Sequence, residues 1–360
     1  MEAGRLQLVL FALALMLVTA CIQEQTPSKE SAVWTAEQAN AWYADQGWIV
    51  GCNYTPYNAI NQIELWQEAT FDRLTIDKEL GWAEEIGFNS LRVYLHYLVW
   101  ARNPTAMKER MEQFLNICES HGIRVMFVLF DDCWNPNPDL GKQPDPIPYT
   151  HNSGWVQCPG SESHLQDTSL YPVLKAYTQD IIRHFSDDKR VLLWDLYNEP
   201  GNNDYVNLTL PLLEQVFTWA QEVRPSQPLS VGIWGFGDEF DELNKLQSEN
   251  SDVITFHHYN DQGHLHETLD WLKAYNKPLI CTEYMARTRE CTFESHMPVF
   301  KKENIGCYNW GFVDGKTNTI YMWDSVYAAE PELWFHDIFR QDGTPYSQDE
   351  IDLIKSLTLN

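Results

Sequence analysis

Two glutamates stand out as groups whose placement could do chemistry. In RVLLWDLYNEPGNNDY, residues 190–205, an apolar run ends abruptly at Asn198-Glu199-Pro200-Gly201, so a carboxylate appears where a buried segment meets a turn. Glu283 closes a second apolar run, KPLICTE, 84 residues further on. Two carboxyl groups brought together can divide the work of an acid and a base. Apolar surroundings and the charge of its partner keep one protonated, while a cation and hydroxyl donors keep the other ionised. Taken alone, Asn-Glu-Pro is more often an ordinary turn, because Pro200 blocks further pairing and Asn caps readily. The weight of the pair therefore depends on the elements that position it.

Those elements alternate from residue 47 onward. Short apolar or β-branched runs predict strands at 47–54, 88–95, 123–130, 191–198, 228–234, 252–257, 277–283 and 305–310. Amphipathic stretches lie between them: Ile76, Leu80, Ala83 and Ile86 share one helical face, and Met107, Met111, Phe114, Leu115 and Cys118 another. Further helices are expected near 170–186, 208–223, 239–248, 265–275, 294–303 and 331–338. Eight such units predict an α/β fold, a single (β/α)8 TIM barrel. About forty residues after the third strand, DDCWNPNPDLGKQPDPIPYTHNSGWVQCPGSESHLQDT, are too long for a plain connection. Their Trp134, Tyr149, His151 and Trp155 predict an ordered wall on the face where barrel strands end.

The last residues of the strands are Asn53, Arg92, Asp131, Asn198 and Glu199, Trp234, His257 and Tyr259, Glu283, and Trp310, nearly all polar or aromatic. Asn-Glu-Pro after strand four and a lone Glu after strand seven resemble the (β/α)8 glycoside hydrolases of clan A, particularly families 5 and 2. Arg92 in SLRVYL, His257-His258-Tyr259 and Trp310 extend the resemblance over roughly residues 47–340. GCNYTPYNAINQIELW and WFHDIFRQDGTPYSQDE also resemble bacterial lipoproteins described as cellulase-like or xylanase-like hydrolases. Cleaving a glycosidic bond needs a proton on the leaving oxygen and an anion beneath the developing oxocarbenium ion. The resemblance implies Glu199 as general acid/base, holding its proton, and Glu283 as nucleophile, ionised with help from Arg92 and the Tyr259 hydroxyl. Asn198 would meet the sugar 2-hydroxyl, and Trp310 would floor the reacting sugar. Arg92, His257, Tyr259, Trp134, Trp155 and Asp131 complete the expected substrate-binding set. Family 5 usually carries His after strand three. Here Asp131-Asp132-Cys133 stands in its place, and loop architecture or a cap is the commoner use of such a pair.

Composition narrows the partners. Twenty-five Lys and Arg against 51 Asp and Glu leave a net charge of −26, which repels nucleic acid and anionic lipid surfaces. Fifteen Trp, several outside apolar runs, suit the flat C–H faces of sugars. The expected partner is a carbohydrate, the expected assembly a monomer, and no cofactor or metal is implied. Arg5, the apolar stretch Leu6–Leu17 and Val18-Thr19-Ala20-Cys21 resemble a lipobox. They predict a lipoprotein signal peptide at 1–20, lipidation of Cys21, a polar tether at 21–40 and a catalytic domain at 41–360. The resemblance places the protein in the bacterial cell envelope, at the outer membrane. Cys133 and Cys158 flank the long loop and could pair in an oxidising compartment. No CxxC or Cys/His spacing indicates zinc.

Two other classes remain open. A metal-dependent barrel hydrolase would use His257, His258 and Asp131 but lacks the HxH near the first strand. A non-catalytic sugar-binding barrel would keep the aromatic mouth, and retention of both glutamates speaks against it. A Schiff-base aldolase would need Lys at a strand end, whereas Lys277 stands at the beginning of its strand.

Overall fold

The computed structural model describes residues 33–161 and 166–359. The expected signal peptide and Cys21 lie outside this range. The barrel strands are β1 (Val50–Asn53), β2 (Ser90–Tyr94), β3 (Arg124–Asp131) and β4 (Val191–Asn198), followed by β5 (Leu229–Ser230), β6 (Ile254–His257), β7 (Leu279–Tyr284) and β8 (Gly306–Asn309). All ladders are parallel, in the order β5-β4-β3-β2-β1-β8-β7-β6. The α/β barrel expected from eight apolar runs is therefore present, with its long loop after β3.

The seam between β5 and β6 departs from expectation. A strand over 228–234 was predicted, but regular pairing stops after two residues. Beyond them the ring is closed by one bridge, Ile233 to Phe256, with Ile233 N on Thr255 O and His257 N on Ile233 O, both 2.9 Å. Hydroxyls assist: Ser230 Oγ lies 2.9 Å from Thr255 Oγ1 and donates to Val253 O at 2.7 Å. Gly232 carries no side chain, and a Cβ there would approach His257 Nε2 to 3.3 Å. The run is apolar enough for a strand, but its residues turn toward the site before a ladder can continue.

At the opposite end of the barrel, Met126, Leu193, Ile280 and Tyr308 cluster with Ala39 and Tyr43 of the helix Ala36–Ala44. That helix begins inside the stretch expected as tether. Thr35 and Gln38 form a capping box, and Trp34 N donates to Asp252 Oδ1 at 2.7 Å. The helix expected at 331–338 is absent. Residues 334–339 are buried one after another, a pattern no single helical face can provide. Their carbonyls go instead to Arg287, whose guanidinium donates to Trp334 O and Asp337 O and pairs with Glu350 at 2.7 Å.

Glu79, wholly buried in the helix Arg73–Glu85, ties that helix to the loop after β1. It accepts from Tyr54 OH at 2.7 Å and Tyr57 N at 3.2 Å. Burial raises its pKa to about 7, the two hydrogen bonds only partly opposing it. A carboxyl group more basic folded than unfolded favours the fold while protonated, and its contribution declines as pH rises from about 4.5 through 7. The melting temperature of Glu79→Gln relative to wild type should therefore shift in the variant's favour between pH 5 and pH 8. A pH-independent difference would contradict this account.

Candidate active site

Alternation along β2 turns Ser90, Arg92 and Tyr94 to one face, the barrel interior. Arg92 is fully buried there and distributes its donors over four strands. Nε meets Asp195 Oδ2 at 2.8 Å, and Nη1 meets Asn53 Oδ1 at 2.8 Å, Tyr94 OH at 2.6 Å and Glu283 Oε1 at 2.7 Å. Nη2 meets Asn198 Oδ1 at 2.7 Å. Arg92 was expected to bind substrate. It lies instead beneath the site and holds the residues that line it.

Glu283, near the end of β7, also accepts from Tyr94 OH at 2.8 Å through Oε1 and from Tyr259 OH at 2.9 Å through Oε2. Every donor it meets favours a carboxylate. His257 Nδ1 lies 2.8 Å from Glu199 Oε1 and 3.5 Å from Glu283 Oε2, and acceptor atoms of the three residues all fall within 4.8 Å of one another. The ring is 3 % exposed and its Nε2 has no partner among the described residues.

Glu199 is held differently. It has φ +42°, a left-handed conformation costing about 1–3 kcal/mol for a non-glycine residue and disfavoured further before a proline. Asn202 N closes the turn on Glu199 O at 3.0 Å, Gly201 N donates to Asp132 Oδ2 at 2.8 Å, and Trp234 Nε1 donates to Pro200 O at 3.0 Å. Its carboxyl accepts from His257, from the Cys133 thiol at 3.1 Å and from Asn202 Nδ2. Burial pushes its pKa up, but those hydrogen bonds outweigh burial and leave it below the ordinary glutamate value. The expectation of a raised pKa is thus reversed: the neighbours that fix the side chain are donors, and donors favour the anion.

Asp131 and Asp132 are buried and serve the architecture. Asp131, expected to touch substrate, accepts from Trp155 Nε1 at 2.7 Å, Asn198 Nδ2 at 2.9 Å and Cys133 N at 2.9 Å. Asp132 takes Tyr197 OH and Thr209 Oγ1, at 2.7 and 2.6 Å, besides Gly201 N. Burial raises both carboxyl groups to about 7 against these bonds. Cys133 and Cys158 are free thiols. Cys133 Sγ contacts Glu199, while the backbone of Cys158 bridges that of Asp131.

A pocket of about 440 Å³ opens above the two glutamates, walled by Trp134, Trp155, Trp234, Trp310 and Trp323 with His151 and Tyr259. Trp155 anchors the long loop, meeting Tyr94 and Trp310 edge-on at 5.0 and 5.7 Å. Asn198 reaches this pocket, whereas Arg92, Asp131 and His257 do not line it. A second hollow of about 180 Å³ shares Glu199, Trp234, Tyr259 and Trp323 and takes in His257 and Arg289. The sequence reading missed Tyr94, Asn202 and Trp323. Tyr94 shares Arg92's face at two residues' distance, and Asn202 lies within the turn of Glu199, so both had a positional signal. Trp323 sits in an irregular segment and had none.

The three candidate metal ligands, His257, His258 and Asp131, do not converge. His257 serves Glu199, His258 faces His264 and His296, and Asp131 serves Trp155 and Asn198. Asp132→Ala should leave two buried hydroxyls and one N–H without an acceptor and cost about 3 kcal/mol. Urea unfolding measures this, and a loss below about 1 kcal/mol would remove Asp132 from the role of turn anchor.

The Cellulase family, glycosyl hydrolase family 5, matches residues 60–315. Among solved structures, an endo-β-1,4-mannanase from Thermotoga petrophila superposes with TM-score 0.57 at 14 % identity, covering 88 % of this chain and 77 % of that one. The exo-β-1,4-mannosidase Op5Man5 from Opitutaceae bacterium strain TAV5 gives TM-score 0.62 at 16 % identity, covering 86 % and 60 %. β-Glucuronidase of Chlorocebus aethiops is 24 % identical over 189 residues, 49 % of this chain but only 24 % of that protein's length. The structural likenesses carry the fold. The family match runs from ahead of β2 to beyond β8 and takes in Arg92, Glu199, His257 and Glu283, so the chain belongs to glycosyl hydrolase family 5 and is a glycoside hydrolase.

Proposed function

We propose that the enzyme is a retaining β-glycosidase acting on a neutral polysaccharide or its oligosaccharides. The observation that carries this reading is the closeness of the two carboxylates, with oxygens within 4.8 Å across His257. Retaining hydrolases hold the pair about 5–5.5 Å apart, whereas inverting ones leave about 6.5–9.5 Å for a water. Glu283 attacks the anomeric carbon while Glu199 protonates the leaving oxygen. Glu199 then deprotonates the water that releases the sugar from Glu283. His257 Nδ1, 2.8 Å from Glu199 Oε1, holds that carboxyl group in place for the proton transfer.

The pocket supports a neutral sugar. Its lining offers five tryptophan faces and no Lys or Arg to a sugar carboxylate, which sets it apart from the uronic acid in the name of the β-glucuronidase relative. Arg289, at the second hollow, is spent on Tyr259 O, Asn260 Oδ1 and the face of Trp323. Two adjoining hollows that share Glu199 give room for sugar on both sides of the bond. The mannanase and mannosidase among the structural relatives make β-1,4-mannan the first substrate to try in a panel with glucan, xylan and galactan. The lipobox-like Val18–Cys21 supports a monomeric enzyme tethered in the bacterial envelope through a lipid on Cys21.

Glu283→Ala should lower kcat at least about 10⁴-fold, and near wild-type turnover would end the nucleophile assignment. Glu199→Ala should spare activated aryl glycosides relative to natural substrates, with azide restoring their turnover. Uniform loss without rescue would exclude an acid/base role. Cys133→Ala removes one of the donors that lower Glu199. Its proton is then held to higher pH, and the alkaline limb of kcat/KM should rise by about half a unit. An unmoved or lowered limb would show that the thiol does not act on Glu199.

A further inference from the structure

Behind β6 lies a second group of chemistry-bearing side chains that catalysis does not use. His258 follows directly on β6, Cys291 precedes the helix Phe293–Glu303, and His296 sits in that helix's first turn. All three are buried. His258 Nδ1 and His296 Nε2 face each other at 3.1 Å, Cys291 Sγ is 3.4 Å from His296 Nε2, and the three donor atoms lie within 4.8 Å of one another. Tetrahedral or trigonal coordination at about 2.0–2.3 Å sets ligand atoms a little over 3 Å apart, so the three converge as a ligand set must.

The outer nitrogens are also engaged as ligating imidazoles require. His258 Nε2 lies 3.0 Å from His264 Nδ1, and His296 Nδ1 lies 2.7 Å from Ser295 Oγ. With each outer nitrogen donating, the inner lone pairs of both rings point at one place, beside a sulfur. The backbone groups nearest the sulfur, Met285 N–H at 3.3 Å and His258 C=O at 3.5 Å, keep it in place. His264, the outer partner of His258, edges a surface hollow together with Asp261.

We propose that His258, Cys291 and His296 form a structural binding site for a thiophilic transition-metal ion, Zn²⁺ in the first instance, separate from the catalytic carboxylates. On binding, the thiol gives its proton to solvent and the thiolate takes up the metal. The ion would fasten the segment whose neighbours are His257, on Glu199, and Tyr259, on Glu283.

The test uses the reduced, chelator-treated full chain, titrated with Co²⁺ and then Zn²⁺. Wild type should take up one equivalent of Co²⁺ with a thiolate charge-transfer band in the near ultraviolet, which Zn²⁺ abolishes by displacement. Cys291→Ser should lose the band and weaken Zn²⁺ binding at least about 100-fold, more than the roughly tenfold expected for the outer partner in His264→Gln. Absence of stoichiometric uptake, or uptake unchanged in Cys291→Ser, would overturn the site. A signal lost in Glu199→Gln but kept in Cys291→Ser would overturn it too, by placing the metal at the carboxylates. Should Cys291→Ser fail to fold, zinc-edge X-ray absorption of wild type decides: one sulfur with two imidazoles supports the site, and a shell without sulfur refutes it.

Discussion

One buried guanidinium organises this molecule. Arg92 gives up its hydration inside the barrel, a cost met only because its donors find Asp195, Asn53, Tyr94, Glu283 and Asn198 at 2.6–2.8 Å. The acceptors sit on β1, β2, β4 and β7, so a single side chain spans the lumen and fixes the depth at which Glu283 and Asn198 emerge. Removing one partner would leave an uncompensated charge in low dielectric, which is far costlier than never having placed one there. The polar core of the barrel and the floor of the active site are thus one network.

The two glutamates meet that network in opposite ways. Glu283 lies within β7, where both ladders shift register, and receives its donors from below and from Tyr259. Glu199 leaves its strand through a left-handed residue before a proline, and the surrounding turn absorbs the strain. Asp132 anchors that turn by accepting from Gly201, Thr209 and Tyr197. The position that family 5 usually gives to His is thus filled by an Asp pair and a thiol: Asp131 pins Trp155 and Asn198, Asp132 pins the turn, and Cys133 touches Glu199 itself.

Much of this was legible in the sequence, because eight buried parallel strands must read as eight apolar runs and barrel sites form at their ends. That Glu199, Glu283, His257 and Tyr259 gather at one mouth followed from that rule. Depth did not. Arg92 and Asp131 are polar residues at strand ends, and nothing in their type says whether they face a sugar or lie beneath the residue that does. The expected helix at 331–338 failed because a segment buried on every side loses the periodicity that marks a helix. The shortness of β5 was invisible for the opposite reason: apolar residues that turn into the lumen read like strand residues. The His258, Cys291 and His296 group escaped notice because its members are gathered by the packing of β6 against the helix after β7, leaving only a Cys and a His five residues apart in the sequence.

The two-residue β5 makes the barrel an unequal ring. Seven seams are laced by ladders, while the one between β5 and β6 holds by one bridge at Ile233, the Asp252 N to Leu229 O bond at 2.8 Å and a few side-chain bonds. Regions with few shared backbone bonds open at the lowest free energy. That joint lies between Trp234 and His257, with Glu199 one strand away at the end of β4 and Glu283 one strand away on β7, each strand laced to both its neighbours. Glu199 and Glu283 thus stand one strand to either side of the weakest joint, and whatever opens it acts on the spacing between them.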